Sequence, residues 1–121
     1  MPATRRPRDF LVTPQHFGHY EEVTWQDVPD QERDALQAAR WQHLVVVGIR
    51  DALQYRGLQP EDLGHEAGLG RQQMWRYLRG EVLMPLTLFA TAQRLLSVRL
   101  VAPSSDAPPR VGTQVEPEAS D

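Results

Sequence analysis

Five side chains between Gly70 and Gly80 pose the first chemical question: Arg71, Gln72, Gln73, Arg76 and Arg79. Guanidinium and carboxamide groups are planar and can make paired hydrogen bonds, Arg to a phosphate or a guanine edge and Gln to an adenine edge. The stretch holds no carboxylate, although the whole chain carries a formal net charge of -3. Residues 1–39 hold four Arg and seven acids, 40–100 eight Arg and five acids, and 101–121 one Arg and four acids, so a middle of +3 lies between flanks of -3 each. A modest basic patch therefore sits in an acidic chain, although the net charge alone would argue against a nucleic-acid partner. Other chemistries lack their parts. There is no cysteine, and all 13 basic residues are arginine, which excludes thiolate nucleophiles, zinc thiolates, Schiff bases and a phosphate-loop lysine. Paired carboxylates, a nucleophile with its base, and a phosphate-cradling Gly-rich loop are absent at convincing spacing, so the sequence reads as no enzyme and calls for no cofactor. His16 and His19, with Glu21 and Glu22, are metal-ligand types without a regular element to fix them, and a surface cluster is the preferred reading.

Side chains of this kind need a rigid element beneath them. Pro60, with Glu61 and Asp62, suits the electropositive start of a short helix over 60–67. Gly68 then turns the chain with positive φ, Leu69 plugs inward, and Gly70 begins a further helix through Leu78 or Arg79, closed by Gly80. In that arrangement Leu63, Gly64, Ala67, Met74, Tyr77 and Leu78 face inward. Arg71, Gln72, Gln73, Trp75, Arg76 and Arg79 face outward. Upstream, Asp27 to Asp30 with Pro29 signals the start of a helix running to Arg56. Leu36, Ala39, His43, Val46, Ile49 and Leu53 form its apolar stripe over roughly 40 Å, with Gly48 at a bend or a close contact. Downstream, Pro85 starts a helix through Leu96 that carries Leu88, Phe89, Ala92, Leu95 and Leu96 toward the core. Three regions follow: an arm of little regular structure over 1–26, with Phe10 to Val12 as a possible short strand; a helical domain over 27–101; and a disordered acidic tail over 102–121, rich in Pro and Ser. No apolar run approaches the roughly 20 residues of a bilayer crossing, so a cytoplasmic, nucleoid-associated protein is expected.

The stretch LGHEAGLGRQQMWRYLRG resembles the XRE family of bacterial and phage repressors, which includes the lambda-type repressors and Cro, and the likeness extends over about 44–98. Leu63, Gly64, Ala67, Gly68, Leu69, Gly70, Met74, Tyr77, Arg79, Gly80 and Pro85 meet the family pattern. The resemblance implies an all-α, lambda-repressor-like helix-turn-helix domain of four to five helices, here with an extended first helix. It implies a homodimeric transcriptional regulator, a repressor, that binds specific double-stranded DNA in the major groove and needs neither a membrane nor a small-molecule ligand. By the same resemblance Arg71, Gln72, Gln73 and Arg76 contact bases, while Arg79, Gln59 and Trp75 approach phosphates. Dimerisation would set two recognition helices about 34 Å apart.

The sequence departs from the family at Gly64, where Ala is usual, at Gln59 and Gly70, where Thr or Ser caps, and in lacking the fifth helix. The extended first helix, the arm around Phe10, Phe17, Tyr20 and Trp25, or a second subunit must replace that helix. Several readings stay open. Arg76 and Arg79 either read bases or clamp phosphates; Trp75 packs on a sugar-phosphate strand or covers the core. The apolar run Val82, Leu83, Met84, Leu86, Leu88 and Phe89 makes a dimer contact or stands in for the missing helix. Arg5, Arg6 and Arg8 enter a minor groove or form a solvated terminus. The competing function is that of a helix-turn-helix protein adapter or antitoxin-like interaction protein.

Overall fold

The run RDALQAARWQHLVVV combines good helix formers with an apolar residue on every turn, and it lies in the longest element, α1 (Arg33–Arg56). The computed structural model describes residues 5–98 of the chain; the acidic tail expected over 102–121 lies outside the described residues. A 3-10 turn at Asp30–Glu32 leads into α1 from extended Pro29. The start signal at 27–30 therefore marks the approach, a few residues before the helix proper, and no side chain caps it. Ala39, Gln42, His43, Val45, Val46, Ile49 and Leu53 are buried along one side, while Leu36 at the outer end is only half-buried.

Three shorter helices follow: α2 (Pro60–Glu66), α3 (Arg71–Leu78) and α4 (Leu86–Leu96). In α2 Pro60 occupies the first turn, and the Asp62 carboxylate accepts the Gln59 N–H at 2.8 Å. Seven residues are too few for a helix to persist alone in water, so α2 depends on what it packs against. It packs on α3 and α4, and α4 also packs on α1. One core unites Val45, Val46, Ile49 and Leu53 of α1, Leu63 of α2, Met74 and Leu78 of α3, and Leu88, Ala92 and Leu96 of α4. The domain is all-α, a helix-turn-helix pair held between a long first helix and α4. Among the described residues the only extended pairing outside the helices is a single antiparallel bridge, Leu11 to Trp25, where a short strand over 10–12 was expected. No helix among these residues is long and apolar enough to cross a membrane.

The arm before α1 is irregular as expected, with 3-10 turns at Pro7–Phe10 and Pro14–His16, yet it is built into the core. Phe10, Leu11 and Phe17 are buried. Phe17 lies so close to Gly80 that a methyl group there would come within 2.8 Å of its ring. The Arg8 N–H donates to the Gly80 carbonyl at 3.0 Å, and the Gly18 N–H donates to His43 Nδ1 at 2.9 Å. The His43 ring meets Phe17 and Trp25 edge-on. Arg5, expected either in a minor groove or in solvent, is engaged within the fold: it pairs with Glu32 at 2.7 Å, donates to the Asp9 carbonyl and to Gln26, and lies over Phe10. Arg6 pairs with Asp9 at 2.9 Å. Of the aromatics expected to replace a fifth helix, Phe10 and Phe17 are buried, Trp25 packs against the core, and Tyr20 stays exposed. Beyond α4, Val98 is buried and lies close to Gly48, which identifies Gly48 as a close contact. In the 82–89 run Met84 and Leu88 face the core, while Leu83 and Leu86 are 60% and 76% exposed.

Candidate nucleic-acid interface

The turn between α2 and α3 sets the pose of every candidate side chain. Gly68 has φ +72°, a conformation that costs an L-residue about 1–2 kcal/mol. The Leu69 N–H reaches back to the Gly64 carbonyl at 2.7 Å. A methyl group at Gly64 would lie 3.3 Å from the Leu69 carbonyl and 3.4 Å from Met74, so a small residue is needed where the two helices meet. Met74 and Leu78 are fully buried, and Tyr77 and Trp75 are half-buried against the same core. With α3 anchored on these residues, Arg71, Gln72, Arg76 and Arg79 are exposed and Gln73 is half-buried. Arg71, Gln72, Trp75, Arg76 and Arg79 line one shallow groove to which no carboxylate contributes. Gly70 offers no side-chain cap and the first turn of α3 has no acid, so no side chain of α3 itself compensates the positive end of the helix.

Carboxylates do stand at the edges of this face. Arg71 Nε pairs with Glu61 at 3.0 Å, both side chains substantially exposed. Glu81 lies 4.0 Å from Arg76 and 3.9 Å from Arg79. Exposed pairs of this type contribute about 0–1 kcal/mol each, so they hold these guanidiniums only weakly. Gln59 keeps its exposed side chain at the start of α2, while its backbone N–H is taken by Asp62.

Trp75 sits between the two roles open to it. Its indole is half-buried, and two guanidiniums share it: Arg50 of α1 at 5.6 Å and Arg79 at 5.3 Å from the ring centroid. Each cation–π contact contributes about 0.5–1 kcal/mol at a partly exposed site. Burial, followed by the neighbouring charge of Arg79, holds Arg50 below the ordinary arginine range. Burial, then Arg50, His16 and Arg8, likewise depresses the His19 imidazole. Arg8 and His19 join Arg79 in lining a small cavity beside the arm. Arg50 carried no sequence signal as a site residue, and His19 was weighed there only as a metal-ligand type, because nothing in a helical period shows which side of α1 an arm will cross.

Two further residues support the interface from within. Gln42, buried in α1, donates to the Tyr77 carbonyl at 2.9 Å and the Val82 carbonyl at 3.1 Å, and accepts the Met84 N–H at 2.8 Å. All its polar atoms are occupied, and the end of α3 and the loop after it are fastened to α1. Burial lowers the affinity of His43 for a proton, and the nearby backbone of Tyr20 and Glu21 offsets only part of this without reaching hydrogen-bond geometry at Nε2. Among the described residues no cluster of His, Asp or Glu could hold a metal ion, and His16 packs edge-on against Tyr20. No protein-family model, curated protein or solved structure matches the chain.

Proposed function

We propose that the chain is a sequence-specific double-stranded DNA-binding regulator of the XRE type, acting as a repressor, with α3 in the major groove. The observation that carries this reading is the division of α3 into two faces. Met74 and Leu78 are fully buried, whereas Arg71, Gln72, Trp75, Arg76 and Arg79 share one groove without a carboxylate. A helix about 10–12 Å across with its side chains fits a major groove about 12 Å wide. Arg71, Gln72, Gln73 and Arg76 are the base readers, and Arg79, Gln59 and Trp75 flank them at the sugar-phosphate backbone. Selection from a random duplex pool tests the reading: a recurring motif supports it, and no enrichment together with a stoichiometric protein partner from pull-down supports the adapter instead. Gln72→Ala or Gln73→Ala should relax base preference by about 1–3 kcal/mol at one position; equal loss on every sequence rejects base reading by that residue. Arg79→Ala should lower the salt slope by about 1.

A homodimer is part of the proposal. Trp41 and Tyr55 on α1, Leu83 in the loop before α4 and Leu86 at the start of α4 are large apolar side chains left 42%, 91%, 60% and 76% exposed. Side chains of this kind are used in self-association where they gather into one patch. The selected motif should then be a palindrome with half-sites about 34 Å apart, and sedimentation should give twice the chain mass. The working place of such a protein is the nucleoid.

A further inference from the structure

We propose that Arg8, His19, Arg50 and Arg79 form a phosphate site built by the arm against α1 and the end of α3, separate from the base-reading residues. The ligand chemistry is the oxygens of a phosphate group. Its source is taken to be a backbone phosphodiester beside the groove that α3 enters, and in that respect the proposal rests on the DNA-binding reading above. Three observations converge on it. First, Arg8, His19 and Arg79 line one cavity, and Arg50 shares the Trp75 ring with Arg79. Second, Nε of Arg8 and Nε of Arg50 are removed from solvent without a hydrogen-bond partner. A desolvated guanidinium donor without an acceptor is costly, and a phosphate oxygen would supply the acceptor. Third, among the described residues neither Arg8 nor Arg50 has a carboxylate within 4.0 Å, and the nearest acid to the cluster, Glu81, stands 3.9 Å from Arg79 while also facing Arg76 at 4.0 Å. One peripheral carboxylate does not balance three guanidiniums.

The arm fixes the geometry from both ends. Arg8 is tied through its backbone N–H to the Gly80 carbonyl, one residue beyond Arg79, and Phe17, two residues before His19, is wedged against Gly80. The cluster is therefore assembled before any ligand arrives, which limits the entropy lost on binding. Phosphate contacts of this sort set register and orientation and add affinity without adding sequence preference.

The test follows the arginine Nε–H and Trp75 indole N–H resonances of the full chain during titration with inorganic phosphate. Chloride holds the ionic strength constant. The Arg8, Arg50 and Trp75 signals should move together and saturate. A mixed-sequence duplex is then titrated over a range of salt against the wild type, Arg50→Gln and Arg8→Gln. Each substitution should reduce the slope of log K against log salt by about 1 and weaken binding equally on all sequences. Phosphate-induced shifts without any duplex binding would keep the anion site and assign it to a free phosphate-bearing ligand, removing the DNA reading. Duplex binding with unchanged slopes and stationary resonances would overturn the site and leave the DNA reading standing. Should Arg50→Gln fail to fold, Arg8→Gln and the wild-type resonances decide the matter.

Discussion

In the α2–α3 pair the contacts that set the turn are local: Gly64 meets Leu69 and Met74, and Ala67 closes back on Leu63 and Gly64. The arm works the other way. Phe17, Gly18 and Arg8 find their partners at His43, Val46, Leu78 and Gly80, and between its short 3-10 turns the arm has little repeating hydrogen-bond pattern of its own. The first region is specified by spacing, so it can be read from a sequence. The second is specified by where distant surfaces happen to meet. The difference shows that irregular backbone can be as integral to a domain as its helices, and that irregularity alone says little about burial.

The strongest way to break this comparison is to truncate one anchor in each region. Phe17→Ala should cost about 3–5 kcal/mol and Leu63→Ala about 2–5 kcal/mol in urea unfolding. A loss under about 1 kcal/mol at Phe17 would return the arm to the status of an appendage. Next in size is Gly80→Ala, which combines a strained positive φ with a clash against the Phe17 ring, at about 2–4 kcal/mol. Gly68→Ala, where φ is equally positive but the space is open, should cost only about 1–2 kcal/mol. Equal losses at the two glycines would mean that Phe17 does not press on the end of α3.

Gln42→Ala would leave the Val82 carbonyl and the Met84 N–H unpaired and the Tyr77 carbonyl with the Gly80 N–H alone, at about 2–3 kcal/mol. Replacing a residue outside both regions thus tests whether they are coupled through α1. Stability should also fall with acidity. The folded state disfavours protonation of His43 and His19, whose affinities for a proton lie below the ordinary value of 6.5, so the unfolded chain binds protons more readily. The stability they contribute is fully present above about pH 6.5 and is lost as the pH drops below it. Urea midpoints at pH 7.5 and pH 5.5 should show that sign, and His43→Asn should flatten the dependence. Smallest of all, Glu61→Gln should change stability by no more than about 0.5 kcal/mol, because its pair with Arg71 is exposed.

How much could be read in advance follows from the same contrast. The boundaries of α2, α3 and α4 and the end of α1 were legible because Gly, Pro and the acids of a first turn act within a few residues of where they stand. The inward set of Leu63, Gly64, Met74 and Leu78 was legible through the helical period. The approach to α1 was displaced because a 3-10 turn uses the same residue types as an α-helical first turn. In the candidate site, Arg71, Gln72, Arg76 and Arg79 stand outward as the period requires. Trp75 does not stand fully outward, because Arg50 and Arg79 enclose it. Gln42 and His43 were invisible as anchors, since a polar residue on an apolar stripe does not announce which backbone groups will satisfy it.

The contact between Phe17 and Gly80 bears on how the chain comes into being. The ribosome makes residues 8–18 well before 78–80, and at about 5–20 residues per second several seconds pass in between. During that interval Phe10, Leu11 and Phe17 have been synthesised while Leu78 and Gly80, against which the arm closes, do not yet exist. The α2–α3 hairpin needs no such wait, and local pairs close first. The arm is thus translated early and seated late, and for those seconds its aromatic side chains are the part of the nascent protein most in need of shelter.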